Sequence, residues 1–556
     1  MTNGADATGS RRSYVHGTTD TPLLGQTIGE NLADAARHWP ERDALVVPFD
    51  GIRLSYAELD ERVDELARAF MAVGIAAGDR VGIWSPNNAE WVLVQYATAR
   101  MGAVLVNLNP AYRTHEVGYA LGQSGCRLLV AATSFKSSDY AAMVEEVRPQ
   151  TPDLEATVFL GGADWDRLLA GAASVDVAAL RRREAELDAD DAINIQYTSG
   201  TTGFPKGATL THHNILNNGY FIGEGCGYDE HDRVCIPVPF YHCFGMVLGN
   251  LACTTHGAAI VVPAPAFDPV ATLRTVDEER CTSLYGVPTM FIAELALPDF
   301  DRYDLSSLRT GIMAGSPCPV EVMKKCVSAM HMNEVTICYG MTETSPVSTQ
   351  TGGDDPLEKR VATVGRVHPH VEVKIVDPTT GRVVGRGESG ELCTRGYSVM
   401  LGYWEEPEKT AEAIDAAGWM HTGDLATMDD DGYVNIVGRS KDMIIRGGEN
   451  VYPREIEEFL YSHPDILDVQ VIGVPDLRYG EEIMAWVRLR EGVDSLTAEE
   501  VRTFCEGRIA HYKIPRYVHV TDDFPMTVTG KVQKYRMREE SVAFLGLADA
   551  AAVQTA

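Results

Sequence analysis

The first half of the chain alternates between two hydrophobic periodicities. Ser55 and Glu58 form a capping box, and apolar side chains then recur with helical spacing at Leu59, Val63, Leu66, Ala67 and Phe70. Short apolar runs typical of buried strands follow at 81–84, 104–106, 128–131, 258–262 and 335–338. Strands separated by helical segments form parallel sheets that helices cover on both faces. The pattern therefore predicts a doubly wound α/β fold.

A smaller unit is predicted after about residue 442. Its pattern predicts a helix near 454–461, strands near 469–474 and 483–488, and a second helix near 498–510. A length of 556 residues corresponds to roughly three to four units of ~150 residues. We therefore expect a large first domain and a small α+β domain, with loose ends at 1–20 and 546–556.

The charge excludes some partners. The formal net charge of −31 argues against nonspecific binding to nucleic acid or to anionic membranes. Between Arg508 and Arg538, however, the sequence contains seven basic residues and only two acidic ones. This local surplus indicates a surface for anionic substrates.

The cysteines and the apolar segments indicate a cytoplasmic protein. The eleven cysteines form no C-x-x-C pair and are predicted to be small buried residues in a reducing compartment. The first twenty residues are polar, without the apolar run of a secretory signal. Residues 234–267 lack charged side chains, but prolines interrupt them. They predict a buried helix and strand beside an apolar pocket rather than a membrane span.

The most informative chemistry lies between Thr198 and Gly207. This Thr-Ser-Gly-Thr-Thr-Gly-Phe-Pro-Lys-Gly segment follows an apolar strand and concentrates hydroxyls, glycines and one lysine, as a phosphate-binding loop requires. It is not the common phosphate loop, because Pro205 replaces the glycine before Lys206. Residues 385–390 have dinucleotide-motif spacing, but an extended segment follows them instead of a helix, so they predict a connection between strands.

Five blocks in this order resemble the adenylate-forming superfamily, which contains acyl- and aryl-CoA synthetases, luciferases and peptide-synthetase adenylation domains. The blocks cover the chain from about residue 26 to 538 and are 198–207, 339–343, 421–424, 438–442 and 529–534. Further segments at 109–116 and 452–455 look like fatty-acid–CoA ligases, in particular the medium-chain branch.

The resemblance implies an architecture. Residues 1–438 would form the N-terminal AMP-binding and acyl-binding domain, with doubly wound sheets and a β-barrel-like part. Residues 439–442 would form a hinge centred on Lys441, and residues 443–556 a small mobile α+β domain.

The resemblance also assigns roles to individual residues. Lys531 would be the adenylation lysine, Glu343 would hold Mg²⁺, Thr342 would donate to the α-phosphate, and His242 would lie beside the acyl carboxylate. The nucleotide-binding set would be Thr198, Ser199, Gly200, Thr201, Thr202, Gly203, Lys206, Gly315, Tyr339, Asp424 and Arg439. Coenzyme A would pass Arg446, Gly447 and Gly448.

The implied reaction is the ATP-dependent activation of a medium- to long-chain fatty acid to acyl-CoA through an acyl-adenylate, with release of AMP and pyrophosphate. The cofactors would be ATP, Mg²⁺ and coenzyme A, and no nucleic-acid partner or transmembrane segment is expected. Two alternatives stay open: an aryl-acid–CoA ligase of the same superfamily and a catalytically inactive acyl or nucleotide sensor. The sequence also leaves a homo-oligomer open.

Overall fold

The computed structural model of the chain describes residues 11–198, 205–316, 318–439, 442–446, 449–527 and 531–551. Its strands are β1 (Tyr14–His16), β2 (Asp43–Val47), β3 (Ile52–Ser55), β4 (Arg80–Trp84), β5 (Val104–Asn107), β6 (Cys126–Ala131), β7 (Ser134–Phe135), β8 (Ser138–Asp139), β9 (Ala156–Phe159), β10 (Ala192–Thr198), β11 (Lys206–Thr211), β12 (Arg233–Cys235), β13 (Ala259–Val261), β14 (Ser283–Gly286), β15 (Thr310–Ala314), β16 (Glu334–Gly340), β17 (Val347–Gln350), β18 (Arg366–Val367), β19 (Val371–Val376), β20 (Gly390–Gly396), β21 (Gly402–Tyr403), β22 (Met420–Met428), β23 (Val434–Arg439), β24 (Ile444–Arg446), β25 (Glu449–Val451), β26 (Ile466–Asp476), β27 (Gly480–Leu489) and β28 (Tyr517–Val520).

The α-helices are α1 (Ile28–His38), α2 (Tyr56–Ala72), α3 (Ala89–Met101), α4 (Thr114–Ser124), α5 (Tyr140–Val147), α6 (Ala163–Gly171), α7 (Val177–Glu184), α8 (His212–Cys226), α9 (Cys243–Gly245), α10 (Ala252–His256), α11 (Pro269–Glu278), α12 (Pro288–Leu295), α13 (Val320–Ala329), α14 (Leu357–Ala362), α15 (Pro407–Ala413), α16 (Pro453–Leu460), α17 (Ala498–Cys505), α18 (Lys534–Phe544) and α19 (Ala548–Ala551). Six short 3₁₀ turns and a π-helix, Met246–Leu251, complete the described elements.

Two large sheets form most of the molecule. The seven-stranded sheet has the order β21-β11-β10-β5-β4-β6-β9, and the nine-stranded sheet has the order β18-β17-β16-β15-β14-β12-β13-β2-β3. Their central pairs are parallel, whereas the outer pairs β10–β11 and β16–β17 are antiparallel. The largest hydrophobic core contacts both sheets and includes the helices α2, α3 and α8. The predicted doubly wound α/β fold is confirmed.

The predicted capping box starts α2 as expected. The Ser55 hydroxyl accepts the Glu58 amide, the Glu58 carboxylate accepts the Ser55 amide, and the five apolar residues of the predicted face are buried. These two contacts satisfy amides that the first helical turn cannot pair internally. Local sequence therefore fixes where this helix begins.

The barrel-like part is an antiparallel five-stranded sheet with the order β1-β19-β20-β22-β23. The glycine-rich segment 385–390 leads into β20, which pairs with β19, so its interpretation as a connection between strands is confirmed. The expectation that residues 1–20 are loose is wrong for Tyr14–His16, because this strand pairs with β19. Pairing with a strand more than 350 residues away leaves no signal in the local pattern.

The C-terminal sheet has the order β25-β24-β27-β26, and β28 pairs with β27. The predicted helix near 498–510 ends earlier, at Cys505. The positive surplus counted between residues 508 and 538 is largely neutralised in space, because acidic side chains from other segments pair with four of its cations. These pairs are Lys513–Glu455, Arg516–Asp476, Lys534–Glu457 and Arg538–Glu481.

Two predictions about apolar residues are confirmed. The described residues include all eleven cysteines, each of which is free and buried. Residues 234–267 form α9, the π-helix, α10 and β13 inside the core. Among the described residues, no helix combines the length and apolar character that a membrane crossing requires.

Candidate active site

The end of β10 and the start of β11 carry the first two described site residues. Thr198 and Lys206 are opposite each other in the antiparallel register of these strands. The hairpin thus holds both ends of the predicted phosphate-binding loop at one sheet edge. Ser199, Gly200, Thr201, Thr202 and Gly203 lie outside the described residues, so their roles stay predictions.

Glu343 lies opposite this hairpin, in the 3₁₀ turn that follows β16. Its Oε1 atom accepts hydrogen bonds from the Tyr403 hydroxyl at 2.9 Å and from the Thr198 hydroxyl at 3.3 Å. The Lys206 ammonium lies 4.7 Å from the centroid of the Tyr403 ring. The structure therefore brings three predicted residues together and adds Tyr403, which the sequence analysis missed.

The Glu343 carboxylate has the chemistry of a magnesium ligand. It is only 5% exposed, and the neighbouring Thr342 is buried as well. Mg²⁺ prefers carboxylate oxygen and keeps several waters. A buried carboxylate that accepts from the hydroxyls of Tyr403 and Thr198 fits that preference.

Tyr339 and Asp424 meet where β16 approaches the barrel-like sheet. The Tyr339 hydroxyl donates to the Asp424 carboxylate at 2.7 Å. Arg439 lies opposite Asp424 in the register of β22 and β23, and its side chain lies outside the description. The structure thus places a tyrosine ring and a carboxylate together, and their predicted adenine and ribose contacts stay predictions.

A polar cluster supports the turn before Asp424. Glu391, Cys393 and His421 bring their ligand atoms within 4.8 Å of one another. The Glu391 carboxylate contacts the His421 Nδ1 at 2.9 Å and accepts the Gly423 amide at 3.1 Å. The sequence showed no such cluster, because its members come from two paired strands, β20 and β22. These hydrogen bonds indicate that the cluster holds the backbone at Gly423, next to Asp424.

His242 is half-buried and neutral. Its Nδ1 accepts the Phe244 amide at 3.1 Å, so that nitrogen carries no proton and the ring proton is on Nε2. Burial and, secondarily, the positive charge of Lys531 lower the pKa of His242 to about 3. The ring therefore offers an N–H donor without a positive charge.

The segment after His242 is anchored by side chains from other elements. The carbonyls of the π-helix at residues 246, 248 and 250 accept hydrogen bonds from Gln95, Tyr285 and Tyr96 at 3.1, 2.9 and 3.0 Å. π-Helices are rare and occur frequently at functional sites. The sequence analysis missed these three residues, whose only signal was polarity within buried segments.

A second buried polar chain reaches the same segment from β10. The Gln196 Oε1 accepts the Cys243 amide at 3.1 Å, and the Gln196 amide donates to the Asn194 Oδ1 at 2.9 Å. Both side chains alternate with apolar residues in β10 and are buried. Polar residues on one face of a buried strand were a usable signal that the sequence analysis did not use.

Lys531 comes from the C-terminal part of the chain and reaches this site. Its Cε lies 3.8 Å from the point that a Cβ on Gly315 would occupy, and its charge contributes to the pKa values of His242 and Cys243. Its backbone is fixed by a reciprocal contact with Thr527: the Lys531 amide donates to the threonine hydroxyl at 3.1 Å, and the Thr527 amide donates to the Lys531 carbonyl at 2.7 Å. The structure thus brings a cation from the C-terminal part of the chain next to Gly315 and His242.

The remaining predicted residues lie elsewhere or are not described. The Arg446 guanidinium contacts the Glu482 carboxylate at 2.7 and 3.0 Å. Lys441, Gly447 and Gly448 lie outside the described residues. The predicted coenzyme A and hinge residues therefore stay predictions.

Two family models match the chain. The model described as AMP-binding enzyme matches residues 32–404, and the model described as AMP-binding enzyme C-terminal domain matches residues 455–531. A putative acyl-CoA synthetase, YngI of Bacillus subtilis, is 51% identical over 544 residues, which are 94% of this chain and 99% of the relative. The mitochondrial medium-chain acyl-CoA ligase ACSF2 of Danio rerio is 46% identical over 555 residues, or 96% of this chain and 91% of the relative.

Solved structures share the fold. The ATP-bound MatB of Rhodopseudomonas palustris superposes with a TM-score of 0.81 at 32% identity, covering 93% of this chain and 99% of that one. The anthranilate CoA ligase AuaEII in complex with anthranoyl-AMP gives a TM-score of 0.84 at 26% identity, covering 95% and 99%. A fatty acyl CoA synthetase of Mycobacterium tuberculosis gives 0.71 at 30% identity, covering 93% and 99%.

Proposed function

Because the chain belongs to the AMP-binding enzyme family, we propose that it is an AMP-forming acid–thiol ligase that activates a fatty acid to its acyl-CoA. In the first half-reaction a fatty-acid carboxylate attacks the α-phosphate of ATP, giving an acyl-adenylate and pyrophosphate. In the second half-reaction the thiol of coenzyme A attacks the acyl carbon, and AMP leaves. The observation that carries this proposal is the position of Lys531 beside Gly315 and close enough to His242 to influence its pKa.

The first half-reaction needs positive charge where two anions meet. Lys531 would supply it as a mobile point charge, and the Nε2–H of His242 would donate to the fatty-acid carboxylate without adding charge. Lys206 and the hydroxyl of Thr198 would hold the β- and γ-phosphates, and Thr342 the α-phosphate. Catalysis in this scheme consists of positioning and electrostatic stabilisation.

Glu343 would hold Mg²⁺, which neutralises phosphate charge when bound. Tyr403 and Thr198 would orient the carboxylate through their hydrogen bonds to Oε1. Tyr339 would stack on the adenine, while Asp424, with Arg439 beside it, would accept from the ribose hydroxyls. In this arrangement the phosphates, the adenine and the ribose would each contact a different set of residues.

The second half-reaction requires Lys531 to leave the acyl carbon accessible. We propose a rotation of the small domain, residues 443–556, about a hinge at 439–442 centred on Lys441. Coenzyme A would then pass Arg446, Gly447 and Gly448. Movement of Arg446 onto a phosphate would require its release from Glu482.

The acid is proposed to be a medium- to long-chain fatty acid. The names of the two relatives reported above and the apolar surroundings of the π-helix support this choice. A specific observation favours an aryl acid as the second candidate: the anthranilate ligase is similar over 95% of this chain. An inactive sensor is the third candidate, although the described site residues have the chemistry that turnover needs. A cytoplasmic location and a homo-oligomer stay predictions.

The test measures the two half-reactions separately. ATP–pyrophosphate exchange with acetate, octanoate, palmitate and benzoate defines the acid, and thioester formation from synthetic acyl-adenylate isolates the second step. We expect Lys531→Ala to abolish exchange and largely spare thioester formation. Lys534→Ala is the matched control, because its ammonium pairs with Glu457 inside the small domain. Equal loss of both steps in Lys531→Ala would contradict the assigned role, and ATP binding without turnover of any acid would support the sensor.

A further inference from the structure

The small domain contacts the large one through helix α16 as well as through Lys531. The amide of Val320 donates to the Glu458 carboxylate at 3.3 Å, and the Arg454 guanidinium donates to the Ile436 carbonyl at 2.8 Å. Arg454 and Glu458 are one helical turn apart, and their charged groups lie 3.9 Å from each other. One face of α16 therefore contacts both α13 and β23.

The contact at Val320 lies close to the catalytic lysine. Gly315 and Val320 lie at the two ends of the connection between β15 and α13. Lys531 approaches the first end, with its Cε 3.8 Å from the Cβ position of Gly315, and Glu458 binds the second. The small domain thus contacts the same connection at two points, one catalytic and one not.

The Glu458 carboxylate supplies a hydrogen-bond acceptor at the start of α13. This helix begins after Pro319, which offers no side-chain acceptor to the first amides. A carboxylate at a helix N-terminus also interacts favourably with the helix dipole. The acceptor comes from the other domain, so the contact exists only while the domains are docked.

The contact is suited to repeated release. The side chains of Arg454 and Glu458 are 12% and 27% exposed, so the pair is partly desolvated when docked. Burial raises the pKa of the Glu458 carboxyl above its ordinary value, and Arg454 opposes that shift. The desolvation cost offsets part of the attraction, which keeps the docked orientation from becoming permanent.

We propose that Glu458 and Arg454 form a docking latch that holds the small domain in the orientation in which Lys531 reaches the adenylation site. This inference rests on the proposed two-step function. Glu458 is a positioning residue: it touches no substrate and acts through the placement of Lys531. Its loss lowers the population of the adenylation orientation and leaves the chemistry of the thioester step intact.

The experiment compares both half-reactions in Glu458→Ala, Glu458→Gln and the control Glu455→Ala. Glu455 lies on the same helix but pairs with Lys513 inside the small domain. We expect Glu458→Ala to slow pyrophosphate exchange about tenfold, the factor that one charge-assisted hydrogen bond of modest strength provides. Thioester formation from synthetic adenylate should be unchanged or faster. Glu458→Gln keeps an oxygen acceptor for Val320 and should recover part of the exchange rate.

The outcomes separate the latch from the proposed function. A wild-type enzyme that forms neither adenylate nor thioester would overturn the function itself. A functional wild type with an unchanged exchange rate in Glu458→Ala would overturn the latch alone. Equal slowing of both steps, or the same slowing in Glu455→Ala, would show a general structural role and would also overturn it.

Discussion

Replacement of Gln95 by leucine tests how the segment that carries His242 is held. Gln95 is buried in α3, where its Nε2 donates to the Met246 carbonyl at 3.1 Å and its Oε1 accepts from the Asn250 amide at 2.7 Å. Both partners belong to the π-helix, and α9 alone separates that helix from His242. One side chain therefore spans the two ends of the irregular helix that follows the proposed carboxylate donor.

The expected magnitude follows from the group that the substitution leaves unpaired. Gln95→Leu removes both hydrogen bonds, so the buried side-chain amide of Asn250 loses its acceptor. A buried polar group without a partner costs about 1–3 kcal/mol, and this cost applies to the Asn250 amide, because the Met246 carbonyl lies within the hydrogen-bonded π-helix. Rearrangement of the π-helix relieves part of this cost and displaces His242. Since a displacement of about 1 Å can slow a reaction by up to 10²-fold, we expect the KM for the fatty acid to rise about tenfold.

The assay is pyrophosphate exchange with the acid and the ATP concentration varied in turn. The KM for ATP should change less than about twofold, because the described nucleotide residues lie on other elements and substitutions couple energetically mainly to the sites that they contact. Hydrogen exchange of the segment 243–256 should become faster in Gln95→Leu. Thr98→Val is the matched control, since its buried hydroxyl bonds only within α3, to the carbonyls of Val94 and Gln95. The reasoning would be refuted if Gln95→Leu changed neither the KM values nor the hydrogen exchange of this segment. It would also be refuted if Thr98→Val had equal effects.

Two further predictions concern the neutral His242 and the buried cation Arg100. The pKa of His242, about 3 in the folded protein, lies below its usual value near 6.5, so its contribution to stability is lost as pH falls from about 6.5 towards 3. NMR of the ring nitrogens should show a neutral His242 from pH 5 to 9. Lys531→Ala should raise the pKa of His242 only in part, because burial is the larger cause of its low value. A titration midpoint near 6.5 in the wild-type protein would contradict this prediction. Arg100 is fully buried among the carboxylates of Asp60, Asp64 and Glu184, at 2.5, 2.5 and 3.2 Å. Asp64 and Glu184 also pair with Arg181, so Arg100→Leu should destabilise the protein by about 2–3 kcal/mol in urea unfolding, the strength of a hydrogen bond to a charged group. A decrease in the free energy of unfolding below about 1 kcal/mol would show that water solvates the carboxylates instead.

Local patterns predicted the elements of the fold because their causes are local. The capping box at Ser55 satisfies amides of its own first turn, and the alternation of apolar runs marks strands buried on both faces. β1 was missed for the opposite reason, whereas the end of α17 was misplaced although Gly507, with a φ of 73°, is a local stop signal two residues after the helix. The partner of β1 is β19, which lies far away in the sequence, and no periodicity records such a pairing.

The site was predictable where a motif concentrates its chemistry and not where distant side chains complete it. Thr198, Glu343 and Asp424 stand in motif blocks, and the structure pairs Thr198 with Glu343 and Asp424 with Tyr339, while their roles stay predictions. Tyr403 and Gln95 stand in no motif, and only the folded chain shows that they hold Glu343 and the π-helix. Supporting residues of this kind depend on geometry rather than on spacing, so one sequence does not reveal them.

The electrostatics of the site depend on which charges can move. Burial keeps His242 neutral whether or not Lys531 is present, because burial is the larger cause of its low pKa. Glu343 is fixed by hydroxyls of the large domain. Lys531 is the charged group on the small domain among the described residues that are assigned to the acyl and phosphate ends of the site. In a chain of net charge −31, withdrawal of this cation would weaken the binding of pyrophosphate and AMP, so the proposed rotation would also favour product release.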